Sequence, residues 1–223
     1  MRRVLLLAGS PRAGGVSLML GRELLERMAG QGPAMEAQTL RVSGLLDAQE
    51  GRARLHAAFA WADTVVLSAP VYVDSPPAQV LKALEFLAAE PWRGEQPKRF
   101  CALFCCGFPE ASHTDICLDV SRIFARKAGM EWAGGLGFGG SGALGGETLA
   151  ARGRMAAPAV RALDLAARAL ADGRPVPIEA RELAARPLIP KPLYLLLAES
   201  GFLAQAWKSR SLTRLGAQPF AEQ

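Results

Sequence analysis

Val4-Leu5-Leu6-Leu7-Ala8-Gly9-Ser10-Pro11-Arg12-Ala13-Gly14-Gly15-Val16-Ser17 is the stretch on which the reading of this chain turns. Val4–Ala8 is apolar throughout, with strand length and no polar alternation, which suits a strand buried on both faces of a parallel sheet. Gly9–Gly15 predicts a loop. Ser17–Met28 predicts a helix with Leu18, Leu20, Leu24, Leu25 and Met28 on one side. A buried strand, a loop of small residues and a helix start bring backbone N–H groups and the positive helix end together, a seat for an anion. The Ser10 and Ser17 hydroxyls and the Arg12 charge could join it. The spacing is not that of a Walker A loop, no Lys-Ser/Thr follows, and it is not GxGxxG. The same segment also reads as an ordinary strand-to-helix turn with Ser17 as helix cap.

The strand-then-helix unit recurs along the chain. Strands are predicted at Met35–Val42, Thr64–Ala69, Phe100–Cys106 and Glu131–Phe138. Helices are predicted at Arg52–Ala62, Ala78–Ala89 (opened by Pro76-Pro77), Asp115–Ala128 and, as one long Ala/Arg helix, about Leu149–Asp172. Five buried strands alternating with helices predict a three-layer, doubly wound α/β fold. After Gly173 the alternation stops. Proline-punctuated Arg174–Pro192 leads to the apolar segment Leu193–Trp207, so residues 1–172 are expected to form the main domain and 173–223 a helical C-terminal appendage.

Composition narrows the class. Half of the 223 residues are hydrophobic and 21% are charged, which excludes disorder. Lys+Arg exceeds Asp+Glu by 26 to 21. The arginines are scattered (Arg22, Arg27, Arg52, Arg54, Arg161, Arg168), with no dense basic run and no interleaved aromatics, so no nucleic-acid partner is expected. Cys101, Cys105, Cys106 and Cys117 form no CxxC, and no His pair stands at zinc spacing, so no metal is expected. Reduced, buried thiols in a cytoplasmic protein are the expectation. The apolar run at the N-terminus is too short for a signal peptide, and no stretch approaches the ~20 apolar residues of a membrane span.

In an open parallel sheet, ligands bind beyond the carboxyl ends of the strands. The loop after the third strand carries Pro70, Val71, Tyr72 and Val73, an aromatic with apolar flanks that suits a flat heteroaromatic ring or, equally, a plain surface loop. The loop after the fourth strand carries Cys106, Gly107 and Phe108, then His113, which reads as a proton donor or as a cap. Cys105 and Cys106 read as core thiols or, with less support, as a nucleophile lacking a nearby His. His56 reads as structural.

Taken together, Gly9-Ser-Pro-Arg12 with Gly15-Val-Ser17, and Ala69-Pro-Val-Tyr72 with Ser75-Pro-Pro-Ala78 and Lys82, resemble the NAD(P)H-dependent FMN reductases of the flavodoxin-like superfamily. The Cys106-Gly-Phe-Pro-Glu110 loop, Gly134-Gly135 and the later glycine cluster are similar to one bacterial branch of it. The resemblance spans about residues 3–172. It implies a flavodoxin-like fold with a five-stranded parallel sheet of order 2-1-3-4-5 and non-covalent FMN. It implies an oxidoreductase passing electrons from NADPH or NADH to a small-molecule acceptor, a quinone, azo compound, nitro compound or flavin. By position it assigns the FMN phosphate to Ser10, Arg12, Val16, Ser17 and the Leu18 amide, one edge of the ring to Pro70, Val71, Tyr72 and Val73, and the other side to Cys106, Gly107 and Phe108. No catalytic side chain is implied, since the cofactor carries the chemistry. Many relatives have Asn-Thr-Ser where this chain has Gly15-Val16-Ser17, which removes two side-chain contacts to phosphate. A homodimer is also implied, with self-packing or dimerisation expected of the apolar tail Pro192–Trp207 and contact with a membrane surface left open. Two other readings stand beside it: an electron carrier without its own NAD(P)H site, against which the basic charge argues, and a flavin-binding regulatory module.

Overall fold

The computed structural model describes residues 1–12, 14–32, 34–94, 96–145 and 148–217. Five strands alternate with helices: β1 (Arg2–Ala8), α1 (Val16–Ala29), β2 (Met35–Arg41), α2 (Gln49–Trp61), β3 (Thr64–Pro70), α3 (Ala78–Ala89), β4 (Arg99–Cys105), α4 (Asp115–Lys127) and β5 (Glu131–Phe138). They form one parallel sheet of order β2-β1-β3-β4-β5. This is the doubly wound, flavodoxin-like arrangement expected from the sequence.

The unbroken apolar runs are explained by burial on both faces. In β1, Val4, Leu6 and Ala8 pack with α1 and with α6 (Ala157–Ala171), while Leu5 and Leu7 pack with α2 and α3 on the other face. In β4 the same split sends Cys101, Leu103 and Cys105 to the first layer, and Phe100, Ala102 and Phe104 to the second. Each fully buried leucine contributes about 1.5–3 kcal/mol. β2 is an edge strand with only Leu40 buried, which is why its sequence is polar.

After β5 the chain forms a short helix α5 (Ser141–Leu144), a 3₁₀ segment (Leu149–Ala156) and then α6. The single long helix expected over Leu149–Asp172 is therefore broken. Gly153 sits at φ +53°, a left-handed conformation that a helix cannot continue through, and Pro158 opens α6 in its first turn. Helix α7 (Ile178–Ala184) packs against α6 and β5. The chain divides into two compact units, Met1–Leu188 and Ile189–Gln223, and the second contains α8 (Lys191–Lys208). The sequence-based division at 172/173 differs from this one by placing α7 in the appendage. No helix among the described residues is long and apolar enough to cross a membrane.

Candidate functional site

A crevice of about 370 Å³ lies beyond the carboxyl ends of the strands. Its walls are Ser10, Arg12 and Gly14–Ser17 after β1, Pro70–Tyr72 at the end of β3, Cys105 and Gly107 at the end of β4, and Ser141, Gly142 and Gly145 after β5. Somewhat larger hollows lie along the flank of β5 and over β2, but size does not select the site. Position does: this one stands where strand order reverses around β1 and β3.

The loop after β1 is held from several sides. Ser10 Oγ accepts the Arg12 N–H at 3.2 Å, and the Arg41 guanidinium donates to the Pro11 carbonyl at 2.8 Å. Buried Ser68 Oγ donates to the Ser17 carbonyl, tying the first turn of α1 to β3. The N-cap of α1 is Gly15, extended at φ −164°, not Ser17. No side chain caps this helix start and no acid stands in its first turn. Its first backbone N–H groups have no carbonyl within the helix to bond, and Val16 and Ser17, which bear two of them, line the crevice. An uncapped, acid-free helix start with two serines and Arg12 suits a phosphate.

The loop after β3 is strained. Tyr72 and Ser75 exchange backbone hydrogen bonds at 2.9 and 3.2 Å around Val73 and Asp74. Both central residues take positive φ, +51° and +54°. A β-branched residue rarely does so. Val73 forms the exposed tip of the turn and gains no contact in return, being 99% exposed. The turn is anchored instead by Asp74, whose carboxylate lies 2.7 Å from His113 Nδ1. The His113 ring stacks at 4.7 Å on Phe108 of the loop after β4. His113 thus ties two walls of the crevice together. His56 pairs with Glu90 at 3.3 Å on the surface, away from the site.

Cys106 shapes the loop after β4. Its thiol donates to the Phe108 and Glu110 carbonyls, and its backbone N–H bonds the Phe138 carbonyl at 2.9 Å. Gly107 has open space where a side chain would stand. Burial pushes the Cys105 thiol up to about 12 and raises that of Cys106, so both stay protonated and a nucleophilic role finds no chemical support.

Of the residues assigned by position, Ser10, Arg12, Val16, Ser17, Pro70, Val71, Tyr72 and Gly107 line the crevice. Leu18 is buried behind the helix start, Val73 stands at the turn tip, Cys106 braces the loop, and Phe108 is an exposed rim residue. Sequence reasoning missed Gly14, Gly15 and Cys105 as lining residues, and also Ser141, Gly142 and Gly145 after β5, where the dense glycine run was the available signal.

Fold and crevice together define a flavodoxin-like α/β protein with an anion-suited loop after its first strand. Over residues 2–107 the chain matches the family model described as NADPH-dependent FMN reductase, an oxidoreductase family. That span holds the first four strands and the loops after β1 and β3, so the resemblance read from those loops is shown there. No curated protein sequence matches the chain. Among solved structures, the chain is similar to the apo form of an NADH:FMN oxidoreductase, at 17% identity and TM-score 0.56, over 86% of this chain and 98% of that one. It is also similar to an FMN-dependent NADH-azoreductase from Bacillus anthracis in complex with FMN, at 12% identity and TM-score 0.54, over 77% and 100%. An NAD(P)H:quinone oxidoreductase from Methanothermobacter marburgensis is similar at 13% identity and TM-score 0.52, over 75% and 95%. At these identities the likeness is one of fold.

Proposed function

We propose that this chain is an FMN-dependent NAD(P)H oxidoreductase. It holds FMN non-covalently in the crevice and takes reducing equivalents from NADPH or NADH. It passes them to a small-molecule acceptor: a quinone, azo compound, nitro compound or free flavin. The observation that carries the reading is the uncapped start of α1 opening into the same hollow as Pro70–Tyr72 and Gly107.

Bound FMN would supply the hydride and electron chemistry. The chain's own residues bind and orient. The Val16, Ser17 and Leu18 amides and the Ser10 and Ser17 hydroxyls donate to the phosphate, and Arg12 offsets its charge. Pro70, Val71 and Tyr72 present an apolar edge to the ring, while Gly107 leaves room beside it. Val73 and Phe108 form the outer rim, and Cys106 braces the loop that carries Phe108. No side chain is required as acid or base. A homodimer is part of the proposal, with a second copy of the chain covering the open side of the crevice. Four free, buried thiols support a cytoplasmic setting.

The test is the visible spectrum after FMN addition and desalting, followed by anaerobic NADPH and, separately, NADH. Retained flavin absorbance that bleaches with either donor is the expected result. Retained flavin that does not bleach would replace the reductase with a carrier. Flavin lost on desalting would remove the phosphate assignment.

A further inference from the structure

The second compact unit is organised around α8, eighteen residues long, in which only Ala206 is buried. At 3.6 residues per turn, Leu193, Leu196, Leu197, Leu203 and Trp207 share one broad face. Leu196 is 63% exposed and Trp207 70%, and Phe202, on the opposite side of the helix, is 75% exposed. The apolar surface continues past the helix in Leu212 and Leu215. A helix this apolar over most of its circumference is one that its working surroundings cover.

Charge selects the cover. Lys191 stands at the start of the helix, and Lys208, Arg210 and Arg214 follow its other end. Glu199 is the single acid between residues 189 and 217. A second copy would bring like charges together in either orientation. Antiparallel pairing sets Lys191 against Lys208 and Arg210, and parallel pairing sets each basic group against itself. An acidic lipid headgroup is attracted at both ends. Tyr194 lies about one turn inside the start of the helix and Trp207 is its penultimate residue, so both amphipathic rings stand near the helix ends, the kind of ring that the membrane–water boundary favours. The helix is not long and apolar enough to cross a bilayer.

We propose that α8 and the Leu212–Leu215 turn form a monotopic membrane anchor. The helix lies in the headgroup layer of an anionic phospholipid surface, its leucines and Trp207 towards the acyl chains and its basic residues among the headgroups.

The test is flotation of the full-length protein with vesicles of phosphatidylcholine alone and of phosphatidylcholine with phosphatidylglycerol, at low and high salt. Binding is expected to be at least tenfold stronger on the anionic vesicles and to weaken with salt. It should fall at least tenfold both in Leu196→Asp/Leu203→Asp and in the surface variant Lys208→Glu/Arg210→Glu/Arg214→Glu. Trp207 emission, read as the difference from Trp207→Phe, should shift to the blue on anionic vesicles only. Absence of binding, or equal binding to both vesicle types, would overturn the proposal. So would a lipid-free dimer that Leu196→Asp/Leu203→Asp dissociates, which would make a second copy the occupant. A lower melting temperature of that variant without lipid would make the chain's own packing the cover. None of these outcomes depends on FMN.

Discussion

At the scale of single residues the crevice separates binding from stability. Gly15 is the N-cap of α1 in extended backbone, and an added Cβ there would meet only Ser10 Oγ at 3.6 Å. Gly15→Asp would place a carboxylate on the bare helix start. The cap and the dipole favour it by about 0.5–1 kcal/mol, whereas a bound phosphate would be repelled. The expected outcome is a slightly raised melting temperature together with FMN affinity reduced about 100-fold or more, read by fluorescence titration. Val73 offers the converse case. Its side chain makes no packing contribution and its φ of +51° is strained, so Val73→Gly should stabilise the fold by about 1 kcal/mol in urea unfolding. Buried thiols set the alkaline limit. Burial pushes Cys101, Cys105 and Cys117 up to about 12 from an ordinary value of 9.0. Above pH 9 the unfolded chain therefore loses protons that the folded one keeps, and stability falls as pH rises towards 12, by about 1.4 kcal/mol per thiol per pH unit. Burial lowers Lys98 to about 8, which acts in the opposite direction between about 8 and 10.5. Three thiols outweigh one amine, so unfolding free energies under reducing conditions should drop from pH 9.5 to 11, less steeply in Cys101→Ala.

At the scale of elements, the site depends on how closely α1 approaches the sheet. A Cβ at Gly21 would stand 2.8 Å from Leu6 Cδ1 and 3.0 Å from Ser68 Cβ. Gly21→Ala should therefore cost about 1–3 kcal/mol in overpacking, and because α1 carries the phosphate-facing amides, FMN affinity should fall with it. Central strands were legible because burial on both faces leaves an unmistakable apolar run, as in Val4–Ala8 and Thr64–Ala69. The Ala/Arg periodicity from Leu149 onwards runs across Gly153 and Pro158 and outweighs these two breaker residues in the sequence reading. The backbone at Gly153, at φ +53°, shows where the helix stops, and Pro158 where the next begins. The loops after β1 and β3 announced themselves by unusual composition. The loop after β5 also stood out, by its dense glycine run, but no single lining residue could be named there, since Gly142 and Gly145 bring no functional group, only room.

For the whole molecule, a ligand that binds only the folded state must stabilise it. FMN at 100 times its dissociation constant should add about 2.7 kcal/mol, equivalent to a rise of about 5–10 °C in melting temperature for a chain of this size; no rise would exclude binding in the crevice. The sequence by itself determined the alternation of strands and helices, and hence the layered α/β architecture. Hydrophobic periodicity is a local property, and it also marks which strand ends carry unusual loops. Tertiary structure decided which loops meet. The Asp74–His113 contact joins residues 39 apart in the chain, and the crevice closes only when segments after four different strands converge on one edge of the sheet. Contacts of that kind depend on strand order and helix approach, which no local spacing encodes.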